Sequence, residues 1–457
     1  MVEAFSTMCF VLKNENLSLF FVRDRLKKFF KTVLKLVFIA ALLYGIGRFG
    51  INTYDSHVFV PRSPYTVMQT QDSITIRWNS PKFEIGSVEY GFFSDSLDKT
   101  LVDPKKTKIH SITISGLNEC TKYYYKVLSD SMSIDNEDRS FKTLCAAKDT
   151  QKLWVIGDSG QVGENQTKVY TSMLDYIEHD FNNLNMWVLL GNNAYKNGSQ
   201  KQYNESFFEP YSELLKRFTP WAVIGNNDAK RWAFYNIFDF PTKGESGGEP
   251  SGNEKFYSIE SGNLHLVMLD SEMYRIDRNS DLAAWLREDL KKNTKPWVIV
   301  ALHTPPYTDG SHNSDSDYDS GGRLKKVREN LVPIFDEFGV DLVLSGHSHS
   351  YERSKLMINH IGKSNTLGKH NIVQDAKSCY TKSIKPSKDS GTIYQVCGSS
   401  SKLEHATLKH PALPFAYEQM GSLIIDITPT TLSSKFLSID AKILDEFIIK
   451  KNTTPCQ

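Results

Sequence analysis

Apolar residues follow two rhythms along this 457-residue chain. Between residues 64 and 146 they alternate with polar ones. Ile74, Ile76 and Trp78 flank Thr75 and Arg77; Ile112 and Ile114 flank Thr113; Tyr123, Tyr125 and Val127 repeat the pattern. A period of two with turn residues between runs predicts a small all-β sandwich. From Leu153 the apolar residues come in short runs instead, at 153–156, 187–190, 221–224, 264–269 (interrupted only by His265), 297–302 and 342–344. Short runs without polar alternation predict strands covered on both faces. Helical spacing at 166–181, 282–292 and 324–338 separates some of them. The expected fold class is α/β: a layered sandwich with flanking helices over 150–450, preceded by the small all-β sandwich over 64–146. Residues 355–392 are polar and read as an excursion, and 393–397 and 421–450 return to strand-like alternation that closes the sheet.

A third texture precedes both. Residues 33–51 are apolar apart from Lys35 and Arg48 near the ends. Roughly 20 such residues cross a bilayer, and terminal Lys or Arg can snorkel. Residues 1–51 hold eight Lys/Arg against three Asp/Glu, a net of +5 in a chain of net +1, so the remainder carries −4. Basic residues ahead of an apolar run predict insertion with the N-terminus inside, as a signal-anchor or a long signal peptide. Either places the bulk of the chain outside the cytosol, anchored through 33–51 or secreted, with 52–63 as a linker. The near-neutral balance gives no reason to expect nucleic acid.

Cysteine usage suits an oxidising compartment. Cys9 lies on the inner side. Cys120 and Cys145 are 25 residues apart, and Cys379 and Cys397 are 18 apart. Two local disulfides from these four would leave Cys456 unpaired, although spacing does not decide connectivity. Asn165, Asn197, Asn204 and Asn452 head Asn-x-Ser/Thr sequons.

Candidate chemistry sits where the apolar runs end. The segments are Gly157-Asp158-Ser159-Gly160, Gly191-Asn192-Asn193-Ala194-Tyr195, Gly225-Asn226-Asn227-Asp228, Ala301-Leu302-His303 and Gly346-His347-Ser348-His349. Carboxylate, phenol, amide and imidazole groups gathered from the ends of separate strands are the materials of a two-metal hydrolytic site. A single histidine after a strand is usually structural; five ordered segments are not explained that way.

The order and spacing of these segments resemble the purple acid phosphatases of the metallophosphoesterase (calcineurin-like phosphoesterase) superfamily. In that family the motifs read Gly-Asp-x-Gly, Gly-Asp-x-x-Tyr, Gly-Asn-His-Asp/Glu, a His after a strand, and Gly-His-x-His. Tyr351-Glu352-Arg353 extends the match, and the N-terminal sandwich, with Thr121–Tyr125, resembles a fibronectin type III module. The resemblance implies a first metal on Asp158, Tyr195 and His349, typically Fe(III), because a phenolate favours a hard ion. It implies a second metal, zinc, manganese or iron, on Asn226, His303 and His347, with position 192 bridging the two. Position 227 would act near the phosphate and leaving group, and His312 would approach substrate.

Two of these positions depart from the family pattern. Asn192 stands in place of the bridging Asp, and Asn227 in place of an imidazole. A neutral amide cannot bridge two cations with anionic oxygens, so weak occupancy is expected at the second metal. An amide cannot donate a proton near neutral pH, a loss typically of ~10²–10⁴ in rate. Three expectations follow: an impaired metal-dependent phosphomonoesterase of acid phosphatase type; a pseudophosphatase binding phosphorylated small molecules or phosphoproteins; or a diesterase or nucleotide hydrolase, with the Asp-, Ser- and Gly-rich loop 307–322 setting the choice.

Overall fold

The computed structural model describes residues 2–451, except 135, 137, 138, 148 and 149, together with Cys456; within the first helix it describes side chains from Lys27 onward. The side chains of Cys9, Arg23 and Arg25 and the sequon at Asn452 lie outside the described residues. By compactness the chain divides into residues 1–57 and 58–457.

The first unit is one helix, Val2–His57. Its Lys27–His57 portion is long and apolar enough to cross a membrane. The segment expected as a linker, 52–63, is helical as far as His57 and enters a strand at Arg62.

The second unit begins with an antiparallel sandwich. Its three-stranded sheet is Arg62–Val67, Ser73–Glu84 and Thr107–Ser115, and its four-stranded sheet is Lys99–Val102, Ser87–Gly91, Lys122–Leu128 and Ser140–Lys142. The alternating residues do what period two requires: Ile74, Ile76, Trp78, Ile112, Ile114, Tyr123, Tyr125 and Val127 form one buried core.

Two seven-stranded sheets follow. In one, the parallel strands Pro220–Ala222, Met186–Leu189 and Gln151–Ile156 continue antiparallel into Gly421–Ile427, Thr431–Ser438 and Ile443–Lys450, with Cys379–Thr381 at the edge. In the other, Leu264–Leu269, Trp297–Leu302, Leu342–Ser345 and Ile393–Cys397 run parallel, flanked by Phe256–Ser261 and by Tyr351–Arg353 and Phe415–Tyr417. The apolar runs now have a cause. Leu266, Met268, Ile299 and Ala301 share a core with Trp154, Val188 and Ile424 of the other sheet. Their neighbours Val267, Leu269, Val298 and Val300 pack with Leu286 and Phe335 of the helices Asp281–Lys292 and Val332–Phe338. The helix expected over 324–338 is two, Arg323–Asn330 and Val332–Phe338, and Pro333 occupies the first turn of the second. Proline fits there because that N–H has no intrahelical partner.

Cys120 and Cys145 are bonded, as one expected pair. The other expectation is corrected: Cys379 is bonded to Cys456, and Cys397 is a free buried thiol. Cys397 ends an interior strand, fully enclosed, whereas Cys379 opens the edge strand beside Ile443–Lys450, whose continuation carries Cys456. Non-reducing peptide mapping should therefore recover a Cys379–Cys456 cross-link, with Cys397 alkylated only after denaturation; a Cys379–Cys397 peptide would contradict the fold of this edge.

Candidate metal and phosphate site

The five segments leave the carboxyl ends of parallel strands and meet at one edge of the two sheets. Asp158 follows Gln151–Ile156, Asn192 follows Met186–Leu189, Asn226 follows Pro220–Ala222, His303 follows Trp297–Leu302, and His347 follows Leu342–Ser345. Ligand sites in α/β sheets form at this end because the loops there converge. Asp158, Asn192 and His347 have φ of 54°, 56° and 69°. The left-handed region costs a non-glycine residue ~1–2 kcal/mol, so the surroundings must hold each in place. Asp158 Oδ2 accepts from the His347 N–H at 2.6 Å, and the Asp158 N–H donates to Gly191 O at 3.0 Å. Gly225 is a close-approach glycine: a Cβ there would lie 2.2 Å from the Asn192 nitrogen. Buried Asp228 ties the loops together, accepting from the N–H groups of Asn193, Ala194 and Gly225 and from the Tyr203 hydroxyl.

The first donor set is compact. Tyr195 Oη donates to Asp158 Oδ1 at 2.8 Å, and His349 Nε2 lies 3.3 Å from Tyr195 Oη and 3.6 Å from Asp158 Oδ1. Those are the spacings of neighbouring ligands around one ion bound at ~2.0–2.2 Å. Carboxylate, phenol and imidazole fit a single cation. In the second set, His303 Nδ1 donates to Leu190 O at 2.7 Å. In a neutral ring, Nε2 then turns a lone pair toward Asn226 Oδ1, 3.0 Å away. Two acceptors facing one another seek a cation. His347 completes this set, its ring centroid 5.0 Å from that of His303. None of the three is a carboxylate or a phenol. Among the described residues, no three His, Cys, Asp or Glu side chains form a metal-holding group.

Asn192 decides how the sets relate. Its Oδ1 accepts from the Asn227 N–H at 2.8 Å, which turns Nδ2 inward. Nδ2 donates to Asp158 Oδ1 at 2.7 Å, Asn226 Oδ1 at 3.0 Å and Tyr195 Oη at 3.2 Å. Two amide hydrogens thus serve three oxygens from three loops, at the position where the resemblance implies a bridging carboxylate. The residues fit one ion and do not fit a pair.

Protonation follows the same geometry. Burial opposes the charge on Asp158, but His303, His349 and His347 outweigh it and hold the carboxyl well below its usual range. Burial and Asp158 push the Tyr195 phenol well above 10, so it remains a hydrogen-bond donor. Burial, with His303 and His312 nearby, drives His347 well below 6.5. Burial also pulls His349 down, but its bonds to Asp158 and Glu404 win and raise it.

The site opens into a cleft of about 700 Å³ lined by Asn227, Lys196, Lys230, His312, Lys402 and Glu404, among others. Lys230 Nζ donates to Asn227 Oδ1 at 2.5 Å and to Lys196 O at 3.1 Å. Lys402 Nζ lies 2.6 Å from Glu404 Oε1, and Glu404 Oε2 lies 2.8 Å from His349 Nδ1. His312 reaches the site: it stacks on His347 with centroids 3.9 Å apart and is held by Asp319 at 2.8 Å. Ser320 Oγ sits 2.6 Å from His347 Nε2. The loop 307–322 therefore reaches the cleft through His312. Its four acids are taken up by neighbours: Asp309 by the Lys409 N–H, Asp315 by Ser364, Asp317 by Lys325 and Lys363, Asp319 by His312. Lys230, Lys402, Glu404 and Ser320 carried no separate signal in the sequence; only Gly321-Gly322 marked a sharp turn beside Ser320.

Residues 151–351 match the calcineurin-like phosphoesterase family, and residues 61–143 match the purple acid phosphatase N-terminal domain. This chain joins a calcineurin-like phosphoesterase domain to a purple acid phosphatase N-terminal domain. Two Arabidopsis thaliana relatives, purple acid phosphatases 21 and 18, are each 27% identical to it, covering 66% and 68% of this chain and 68% and 69% of their own. Purple acid phosphatase 1 of Ipomoea batatas is 26% identical, covering 67% and 68%. Among solved structures, the yellow lupin purple acid phosphatase PPD1 superposes with a TM-score of 0.66 at 17% identity, covering 86% of this chain and 75% of that one, which establishes the shared fold. Purple acid phosphatases are binuclear metal enzymes. Asn192 and Asn227, the two positions that depart from the motifs the resemblance implies, both line the cleft.

Proposed function

We propose that this chain binds phosphate esters in its cleft, holds at most one metal ion, and hydrolyses phosphomonoesters slowly. One observation carries the reading: the inward amide nitrogen of Asn192, donating to Asp158, Asn226 and Tyr195. An N–H group cannot ligate a cation, and rotating the amide to present its oxygen breaks the bond from the Asn227 N–H. A single ion on Asp158, Tyr195 and His349 would supply positive charge to a phosphoryl oxygen. Binding has other support. Lys230 and Lys402 stand half-buried at the cleft, and lysine is a common phosphate binder. Asn227 is aimed at the cleft by its bond to Lys230 and can hydrogen-bond a phosphate oxygen. The ligand is a phosphorylated small molecule or phosphoprotein outside the cytosol, with the chain held at the membrane by its first helix.

Metal content tests this without reference to activity. After loading with iron and zinc and desalting, the chain should retain no more than one ion, and its Asn192→Asp variant two. Titration with inorganic phosphate in the presence of chelator should show binding, weakened about tenfold in Lys230→Ala by loss of a charged hydrogen bond. Two tightly held ions in the unaltered chain would overturn the proposal.

A further inference from the structure

We infer that Glu352 is a positioning residue: its buried carboxyl fastens the start of the loop 307–322 and so sets where His312 stands at the cleft. Glu352 is fully enclosed on the interior strand Tyr351–Arg353, between Ile393–Cys397 and Phe415–Tyr417. Successive side chains of a strand face opposite ways. Tyr351 and Arg353 turn toward the first large sheet, where both bond to Asp445. Glu352 turns the other way and meets the loop. Its Oε2 accepts from the Thr308 hydroxyl at 2.5 Å, and its Oε1 from the Asp309 N–H at 2.9 Å. Burial pushes the carboxyl up to about 7, and among the described residues no Lys, Arg or His pairs with it. An enclosed acid without a cation is a departure from a stable core of the kind that functional sites carry.

From these bonds the chain runs directly to the site. Gly310 lies so close to the segment after His347 that a Cβ there would be 2.3 Å from Ser348 Oγ and 2.2 Å from Ser350 Oγ. Ser311 Oγ accepts from the His349 N–H at 2.9 Å. His312 comes next and stacks on His347, the ring planes 12° apart. Asp319 orients the His312 ring but belongs to the same loop, so it does not place the loop. Ser311 and Ser320 tether the loop inside the cleft, to His349 and His347. Glu352 tethers it from behind, touching neither the ligand space nor His312. On the solvent side the N–H groups of Leu408 and Lys409 also bond to Asp309. Without Glu352 the Asp309 N–H loses its acceptor, and Thr308 keeps only Ser348 Oγ, 2.7 Å away. The outward bonds from Leu408 and Lys409 remain, so the turn shifts toward solvent to satisfy its N–H. His312, three residues on, shifts with it. That His312 faces bound phosphate rests on the function proposed above; that Glu352 places His312 does not.

Carbethoxylation by diethyl pyrocarbonate, read residue by residue by mass spectrometry on the full chain, reports where His312 stands. In Glu352→Ala, with both bonds lost, His312 should react at least about threefold faster than in the unaltered chain. Glu352→Gln should stay within about 1.5-fold, because its Oε1 still accepts from the Asp309 N–H and its Nε2 donates to Thr308, whose hydrogen turns to Ser348. Thr308→Val removes only the hydroxyl and serves where Glu352→Ala does not fold; His312 should react at least about twofold faster there. Exposed His179 should react equally in every variant and buried His265 in none, so a rise confined to His312 separates a displaced loop from general loosening. An unchanged His312 rate in Thr308→Val overturns the inference. So does a glutamine variant that reacts like the alanine one, and so does a rise shared by His265. Inorganic phosphate with chelator forms a second arm. Protection of His312 in the unaltered chain, lost in Glu352→Ala, supports the inference and the proposed function together. No protection in the unaltered chain, with the order of the variants kept, overturns the proposed phosphate binding and still supports the placement of His312 by Glu352.

Discussion

Replacing Asn192 by Asp and Asn227 by His together raises hydrolysis of p-nitrophenyl phosphate at least about a thousandfold over the unaltered chain, both loaded with iron and zinc. The first change acts on the metals. Two divalent ions ~3.5–4 Å apart repel by on the order of 20 kcal/mol at an effective dielectric of ~20, and an anion between them offsets much of that. The backbone is already shaped for it: Asn192 Oδ1 is fixed by the Asn227 N–H, so a carboxylate would keep that bond and turn its second oxygen to where Nδ2 now sits. Asp tolerates the left-handed φ of 56° as Asn does. The second change supplies a proton donor at the cleft wall, typically ~10²–10⁴ in rate. Asn192→Asp alone should restore metal occupancy with a partial gain in rate, and Asn227→His alone should gain little. Turnover by the unaltered chain within about tenfold of the double variant would show that a bridging carboxylate is dispensable here.

Asp341→Asn should lower stability to urea by about 3–5 kcal/mol at pH 7, the usual cost of leaving a buried charge without its partner. Asp341, Lys382 and Lys451 are all fully enclosed, with ammonium-to-carboxylate distances of 2.8 and 2.6 Å. Lys382 follows the strand Cys379–Thr381, Lys451 follows Ile443–Lys450, and Asp341 precedes Leu342–Ser345, so the triad joins the ends of the two large sheets. Burial pulls Lys451 down to about 8 even with Asp341 beside it, and also lowers Lys382. A lysine whose folded pKa is depressed contributes stability above its unfolded value of ~10.4 and loses it as pH falls through the folded one. Without Asp341 both lysines are depressed further, so the part of the defect due to Lys451 should shrink as pH rises toward its folded value of about 8 and level off above it. A loss under 1 kcal/mol at pH 7, or a defect that grows toward pH 10, would contradict this account.

The interior was the most legible part of the sequence. Runs such as 297–302, apolar at every position, and 264–269, apolar but for His265, arise because both faces of the second large sheet are covered, and a run with that cause points directly to a buried strand. The site segments were legible for a related reason: a glycine turn ending such a run places the next polar residue at the sheet edge. Legibility failed where tertiary contact supplies the meaning. Phe256–Ser261 carries Ser258, Glu260 and Ser261 among its apolar residues, so no run marks it. The segment holding Lys402 and Glu404 has no period, and its place against His349 follows from the path of the chain after Ile393–Cys397. Cys379 and Cys397 are near in sequence but belong to different sheets, which spacing cannot reveal.

The amide at position 192 also bears on how the protein reaches its finished state. Three loops of the site are closed by hydrogen bonds the chain makes for itself, and these bonds form without an ion. On the proposed function, phosphate binding in the cleft should therefore persist under metal starvation and in the presence of a chelator.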